Sequence, residues 1–132
     1  MLPGTMRWVI RSEQQRALGG LATDRFVEDA ATRLRRHWPA TCAALGDSAL
    51  EARIRHGLAL AARHDIHANA AVLRFLNAMF ALGDGFVSDA RYPWASQLLG
   101  DPRLDDHERM ERVSAEVSVL LRSGEEVKHG PV

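Results

Sequence analysis

Residues 68–83, ANAAVLRFLNAMFALG, are apolar nearly all round when drawn as a helix. Only Asn69, Arg74 and Asn77 are plainly polar. A helix without a wide polar face must be packed on several sides. The pattern therefore predicts a central helix from about Ala68 to Leu82, which the rest of the chain surrounds. Gly83 has the position of a helix stop.

Amphipathic helices are predicted upstream of this central helix. The first runs from about Asp24 to Trp38, and Pro39 breaks or kinks it before ATCAAL, residues 40–45, adds a further turn or two. Its apolar face repeats every four residues, at Phe26, Ala30, Leu34 and Trp38. The next runs from a cap at Asp47 or Ser48 to about Arg63. Its apolar stripe consists of Leu50, Ile54, Leu58 and Ala61 or Ala62.

Two more helices are predicted downstream. Pro93 suits the first turn of a short helix to Leu99. Asp105 with Glu108 three residues later is a capping-box start for a final helix. The stripe predicted to be buried in that helix is Met110, Val113, Val117, Leu120 and Leu121. Residues 123–132 are polar and are expected to fray.

The N-terminal segment differs in character from the rest. MRWVIR, residues 6–11, is short, β-branched and aromatic, which favours an extended arm over residues 1–10 or a lone edge strand. Met6 could be the native start, with residues 1–5 a tag or an upstream start. Ser12 then caps a short helix that Gly19 and Gly20 interrupt. Altogether the sequence predicts a single all-α domain over residues 1–132, a compact bundle of five or six helices with a short extended N-terminal arm.

Composition excludes several classes of function. The chain has 132 residues, 46% apolar and 26% charged, with seventeen basic and seventeen acidic residues. No basic stripe with interleaved aromatics points to nucleic acid, and no apolar run is long enough to span a membrane. The opening residues lack the apolar core of a signal peptide, so we expect a cytoplasmic protein. The single cysteine, Cys42, lies among small apolar residues and is expected to be a buried structural thiol.

Residues His64, Asp65 and His67 are the best candidates for a metal site. Two imidazoles and a carboxylate could supply three ligands. However, the pair of histidines spans a predicted helix break, and no further ligand has matching spacing. We therefore expect no metal and no other cofactor, and interpret Asp65 as a cap of the following helix.

Other catalytic signals are weak. Asp84, Ser88, Asp89 and Asp101 lack the alternating oxygens and final Glu of a calcium-binding loop. The sequence contains no nucleophile elbow, phosphate-binding loop or dinucleotide fingerprint. Glu108 and Glu111 with Arg112 are better explained as solvated charge pairs. The sequence therefore predicts a protein without catalytic residues.

Three aromatic residues, Phe86, Tyr92 and Trp94, follow the central helix within nine positions. They could fold back and close the end of the core, which is the expectation for Trp94. Alternatively, part of the cluster is exposed and anchors a protein partner, since Trp and Tyr are typical of binding hot spots. We take Phe86, Tyr92 and Trp94 as the candidate partner-binding residues.

The same region resembles a family of small helical proteins encoded in bacterial type VI secretion effector clusters, beside spike, adaptor chaperone and toxin genes. The resemblance covers about Arg11 to Asp101. Its downstream part is carried by Arg63, Ile66, Arg74-Phe75-Leu76-Asn77, Met79-Phe80, Leu82-Gly83, Phe86, Asp89, Pro93-Trp94-Ala95 and Leu98-Leu99. Its upstream part is carried by Phe26-Val27, the Arg-rich helix and Cys42-Ala43-Ala44-Leu45-Gly46.

The resemblance implies a cytoplasmic accessory protein, an adaptor or co-chaperone that helps to load an effector onto the secretion spike. It implies a protein partner, which would be an effector, an adaptor chaperone or a spike component, and it carries over no catalytic residues. A homodimer is also compatible with the sequence.

Two other functions stay open. The first is an immunity protein that neutralises a neighbouring toxin, although such inhibitors often carry a strong charge bias that this chain lacks. The second is a metal-dependent enzyme that uses His64, Asp65 and His67.

Overall fold

The structure, a computed structural model, describes the backbone of residues 22–128 and the side chains of residues 22–123. The helices in chain order are α1 (residues 22–37), α2 (Pro39–Leu45), α3 (Asp47–Arg63), α4 (Asn69–Leu82), α5 (Pro93–Leu99) and α6 (Asp106–Lys128), with a 3-10 turn at Phe86–Ser88. The described part of the chain contains no strand, which confirms the all-α prediction. The predicted arm over residues 1–10 and the predicted cap at Ser12 lie outside the described residues.

The central position of α4 is confirmed. Half of its residues are buried, namely Ala71, Val72, Phe75, Leu76, Ala78, Met79 and Phe80. It packs against α6 and against α3. It ends where Gly83 takes a φ of +106°, a conformation that glycine adopts without steric cost.

The chain breaks between α1 and α2 where Pro39 predicts it. Trp38 leaves the helical conformation, and Pro39 occupies the first turn of α2. Proline suits this position because it has no backbone N–H to leave unpaired there. The predicted apolar face of α1 is buried at Ala30 and Leu34 and half-buried at Phe26 and Trp38.

The start of α3 differs from the prediction. Its N-cap is Gly46, with a φ of +80°, and neither Asp47 nor Ser48 caps it through a side chain. The Asp47 carboxylate instead accepts a hydrogen bond from Arg35 Nη2 at 2.9 Å. The Asp47 side chain therefore contacts α1 and does not cap α3.

Helices α3 and α4 approach each other most closely at Gly57. A Cβ placed on Gly57 would lie 2.3 Å from Leu76 Cδ2 and 2.8 Å from Met79 Sδ. A side chain at this position would require Leu76 and Met79 to shift, because both distances are far below van der Waals contact. Gly57 therefore sets how deeply α4 sits against α3.

The two residues just before α4 are held by α6. Asp106 Oδ2 accepts hydrogen bonds from the backbone N–H of Ala68 at 3.0 Å and of His67 at 3.3 Å. These two N–H groups lower the pKa of the Asp106 carboxyl. The prediction that Asp65 caps this helix is wrong, because Asp65 takes a left-handed conformation, with a φ of +62°, and pairs with His67.

The start of α6 is as predicted, but its far end is not. Glu108 N–H donates to Asp105 Oδ1 at 2.8 Å, and Asp105 N–H donates to Glu108 Oε1 at 3.4 Å, which completes the capping box. Of the predicted buried stripe, Met110, Val113 and Val117 are buried, whereas Leu120 is half-buried and Leu121 is exposed.

The C-terminal end of α6 is also longer than predicted. The helix runs to Lys128, so the first part of the segment 123–132 is helical rather than irregular. Gly124 lowers helix propensity there, but Glu125, Glu126 and Lys128 are good helix formers. None of the helices in the described residues is both long and apolar enough to cross a membrane.

Candidate functional site

Phe86 closes one end of the core. It lies in the 3-10 turn after α4, its exposed fraction is 0%, and its ring centroid is 5.3 Å from that of Phe75 with the planes tilted by 55°. A side chain without exposed surface offers nothing to a partner. The prediction that Phe86 binds a partner is therefore corrected: it is a core residue.

Tyr92 and Trp94 are half-buried. Their ring centroids are 5.9 Å apart, and both rings pack against the core. The Arg91 guanidinium lies 5.3 Å from the centroid of the Tyr92 ring and is held by Asp89 at 2.8 Å, a hydrogen bond that lowers the pKa of the Asp89 carboxyl. The partner-binding role of Tyr92 and Trp94 stays a prediction, since part of each ring is exposed.

The two histidines of the candidate metal site lie in different environments. His64 is half-buried with its ring 6.3 Å from that of Phe75, and burial together with Arg63 lowers its pKa. The His67 Nε2 lies 3.2 Å from Asp65 Oδ1, on exposed side chains. Over the described residues, no group of three or more His, Cys, Asp and Glu side chains is placed to hold a metal ion.

The carboxylates of the calcium candidate are tied to arginines. Asp84 pairs with Arg53 at 3.0 Å, and Asp101 pairs with Arg103 at 3.0 Å. The Arg103 guanidinium lowers the pKa of Asp101 to about 2. Each carboxylate thus has a structural cation of its own, and the loop is held together by ion pairs.

Cys42 is a buried free thiol, as predicted. Burial raises its pKa, although Arg35 and Arg53 act in the opposite direction. A thiol held in its neutral form is a poor nucleophile. Its place in α2 is that of a small apolar side chain.

A groove is lined by residues of α1, α4 and α6 and by Trp38, which follows α1. Its volume is about 790 Å³, within the range of ligand-binding clefts. We call it the α1–α4–α6 groove and define it by its lining residues, Arg33, Leu34, Arg36, His37, Trp38, Leu73, Arg74, Asn77, Leu120 and Leu121.

The apolar part of the groove continues onto the surface of α6. Leu121 is 37% exposed, and its neighbour Val119, which does not line the groove, is 49% exposed. Among the side chains that the structure describes, these are the two large apolar residues that are exposed. The predicted stripe of α6 therefore continues beyond the core and borders the groove.

The polar part of the groove is organised by α4. Trp38 Nε1 donates to Asn77 Oδ1 at 2.9 Å, which joins the end of α1 to α4. Arg74 Nη1 is buried and has no hydrogen-bond partner among the described residues. The sequence did carry a signal for this surface, because Arg74 and Asn77 are polar residues three positions apart on an otherwise apolar helix.

The charged residues that line the groove, among those described, are all basic. Three arginines and His37 line it, and none of the ten described lining residues is acidic. Asp29 lies one turn before Arg33 and pairs with it at 3.1 Å.

Comparison of the chain with protein-family models, with curated proteins and with solved structures finds no match.

Proposed function

We propose that this chain is a non-catalytic adaptor or co-chaperone that binds a protein partner through the α1–α4–α6 groove. The partner would be an effector, its chaperone or a spike component of a bacterial type VI secretion system. Binding would occur in the cytoplasm, before secretion, and would involve no turnover.

The groove is the observation that carries this proposal. It combines a cleft of about 790 Å³ with an exposed apolar side chain at its edge, Leu121. Concave surfaces that join apolar and cationic side chains are suited to bind another chain, because burial supplies affinity and charge supplies orientation. Tyr92 and Trp94 remain a second candidate surface, since both are half-buried and neither lines the groove.

The secretion system enters the proposal through sequence resemblance alone. The residues that carry it include Arg74 and Asn77 of the groove as well as the corner at Trp94. Binding through the groove and the link to a secretion system are therefore supported by different observations, and an experiment can test each one separately.

The test is co-expression of the chain with each protein encoded beside it, followed by size-exclusion chromatography. We expect a stable complex with a chaperone or with the N-terminal region of an effector. Leu121→Asp should abolish this complex, because it places a charge on the apolar edge of the groove. Val119→Asp is the matched control, since it introduces the same charge two residues away and outside the groove.

Each other outcome overturns a defined part of the proposal. A complex with the toxic domain alone, together with protection of cells that express it, would identify an immunity protein. A complex that survives Leu121→Asp but is lost with Tyr92→Ala would move the binding surface to the aromatic corner. No complex with any neighbour, together with a stoichiometric metal lost on His67→Ala, would favour the enzyme.

A further inference from the structure

We propose that the α1–α4–α6 groove binds an amphipathic helix of the partner whose apolar face is flanked by carboxylates. This inference rests on the proposed binding function and names the chemistry of the partner. It follows from the charge of the described lining, from the unpaired Nη1 of Arg74 and from the architecture of the described residues.

The charge of the lining selects an acidic segment. Arg33, Arg36, Arg74 and His37 converge on one groove, and no described lining residue is acidic, although Arg33 is paired with Asp29 outside the lining. The chain as a whole has equal numbers of basic and acidic residues, so this concentration is a local property of the described lining. A basic segment would meet like charges there, which disfavours its binding.

Arg74 gives the site its central polar contact. Its Nη1 is buried and unpaired in the described part of the chain, and the side chain belongs to the lining of the groove. Leaving a buried charged donor without an acceptor is costly, and a carboxylate is its strongest acceptor because guanidinium and carboxylate can form two parallel hydrogen bonds. One Asp or Glu of the partner would supply this acceptor once the Arg74 side chain turns towards the groove.

The architecture favours a helix as the occupant. Extended peptides bind by adding a strand to a sheet edge, and the described residues include no strand. Proline-rich segments need a groove lined by several aromatic rings, whereas Trp38 is the one aromatic ring besides His37 among the described lining residues. A helix that lays its apolar face beside Leu34, Leu120 and Leu121 would extend the helical packing already present.

Two synthetic peptides test the chemistry directly. Each has about 18 residues, long enough to be partly helical in water, with leucines on one face and alanines elsewhere. The acidic peptide carries Glu at the flanking positions, and the basic peptide carries Lys at the same positions. By fluorescence anisotropy with the full chain we expect binding of the acidic peptide, weakened by added salt, and no binding of the basic one.

Two variants of α1 locate the binding. Arg36→Glu reverses an exposed charge in the groove, and we expect it to lower the affinity for the acidic peptide by about tenfold or more. Arg25→Glu makes the same change of charge on an exposed residue of the same helix that does not line the groove, and we expect less than about a twofold effect. Circular dichroism of both variants checks that they fold.

The outcomes separate this inference from the proposed function. Equal binding of both peptides, or equal weakening by both variants, would show that charge in the groove does not select the partner. A neighbour that binds the chain but is unaffected by Arg36→Glu would overturn the inference and leave the adaptor function intact. A concentration-dependent dimer that Leu121→Asp dissolves would assign the groove to a second copy of the chain and overturn the inference.

Discussion

Gly57 shows how much a single residue can decide in this fold. The sequence places it in an Ala-rich helix, where small residues predict a close helix approach without saying which residue makes it. The structure assigns that contact to Gly57, against the fully buried side chains of Leu76 and Met79. The close contact at Gly57 depends on the side chains of α4, so the sequence of α3 alone does not predict it.

Gly57→Ala is expected to lower the free energy of unfolding. Alanine gains roughly 1 kcal/mol of helix propensity over glycine, but the new methyl group overpacks the α3–α4 contact, which costs about 1–3 kcal/mol. Urea unfolding should therefore give a net loss of about 1 kcal/mol, and Gly57→Val a larger one. His56→Ala, on the exposed side of α3, is the control. A more stable Gly57→Ala protein would mean that Leu76 and Met79 move aside without cost.

At the level of helices, the sequence predicted where a helix starts or ends when the residues that fix that end are close together in sequence. Pro39, Gly83 and the Asp105–Glu108 pair behave as their patterns indicate. The caps at Asp47 and Asp65 were wrong because each carboxylate has another partner, Arg35 or His67. The carboxylate that holds the residues before α4, Asp106, lies 38 residues from Ala68, and no local pattern could identify it.

Asp106→Ala is expected to destabilise the protein by about 0.5–1.5 kcal/mol, the usual net contribution of a hydrogen bond, because it removes the acceptor of the His67 and Ala68 N–H groups. Asp106→Asn should lose less, because its amide oxygen still accepts from the N–H groups of His67 and Ala68. Thermal unfolding measured by circular dichroism would distinguish the two variants. Glu111→Ala on the exposed face of α6 is the control, and a loss with Glu111→Ala as large as with Asp106→Ala would show that these hydrogen bonds contribute little.

For the molecule as a whole, the sequence predicted the helical class, the central helix and most of the core. It did not predict the groove, because Leu120 and Leu121 continue the period of Met110, Val113 and Val117. What differs at that end of α6 is the absence of a covering helix among the described residues. Whether an apolar stripe is covered depends on the packing of other helices, which periodicity along one helix does not encode.

Stability of the whole molecule is expected to fall as the pH drops from about 4 towards 2. Asp101 has an ordinary pKa of 3.8 and a folded pKa of about 2, held low by Arg103. Because the unfolded chain takes up this proton at higher pH than the folded one, the stabilisation is complete above pH 4 and is lost through this window. Urea unfolding at several pH values should give a flatter dependence for Asp101→Asn, and Arg103→Gln should flatten it in the same way. An unchanged slope in both variants would contradict the assignment.

The hydrogen bonds that Asp106 accepts also link local opening of α6 to local opening of α4. A transient opening that lifts the first turn of α6 removes the acceptor for the N–H groups of His67 and Ala68, so the start of α4 loses its protection in the same event. Amide protons at these two helix ends would then exchange with solvent together, as one cooperative unit. The N-terminal end of the central helix is therefore expected to unfold locally whenever the first turn of α6 opens.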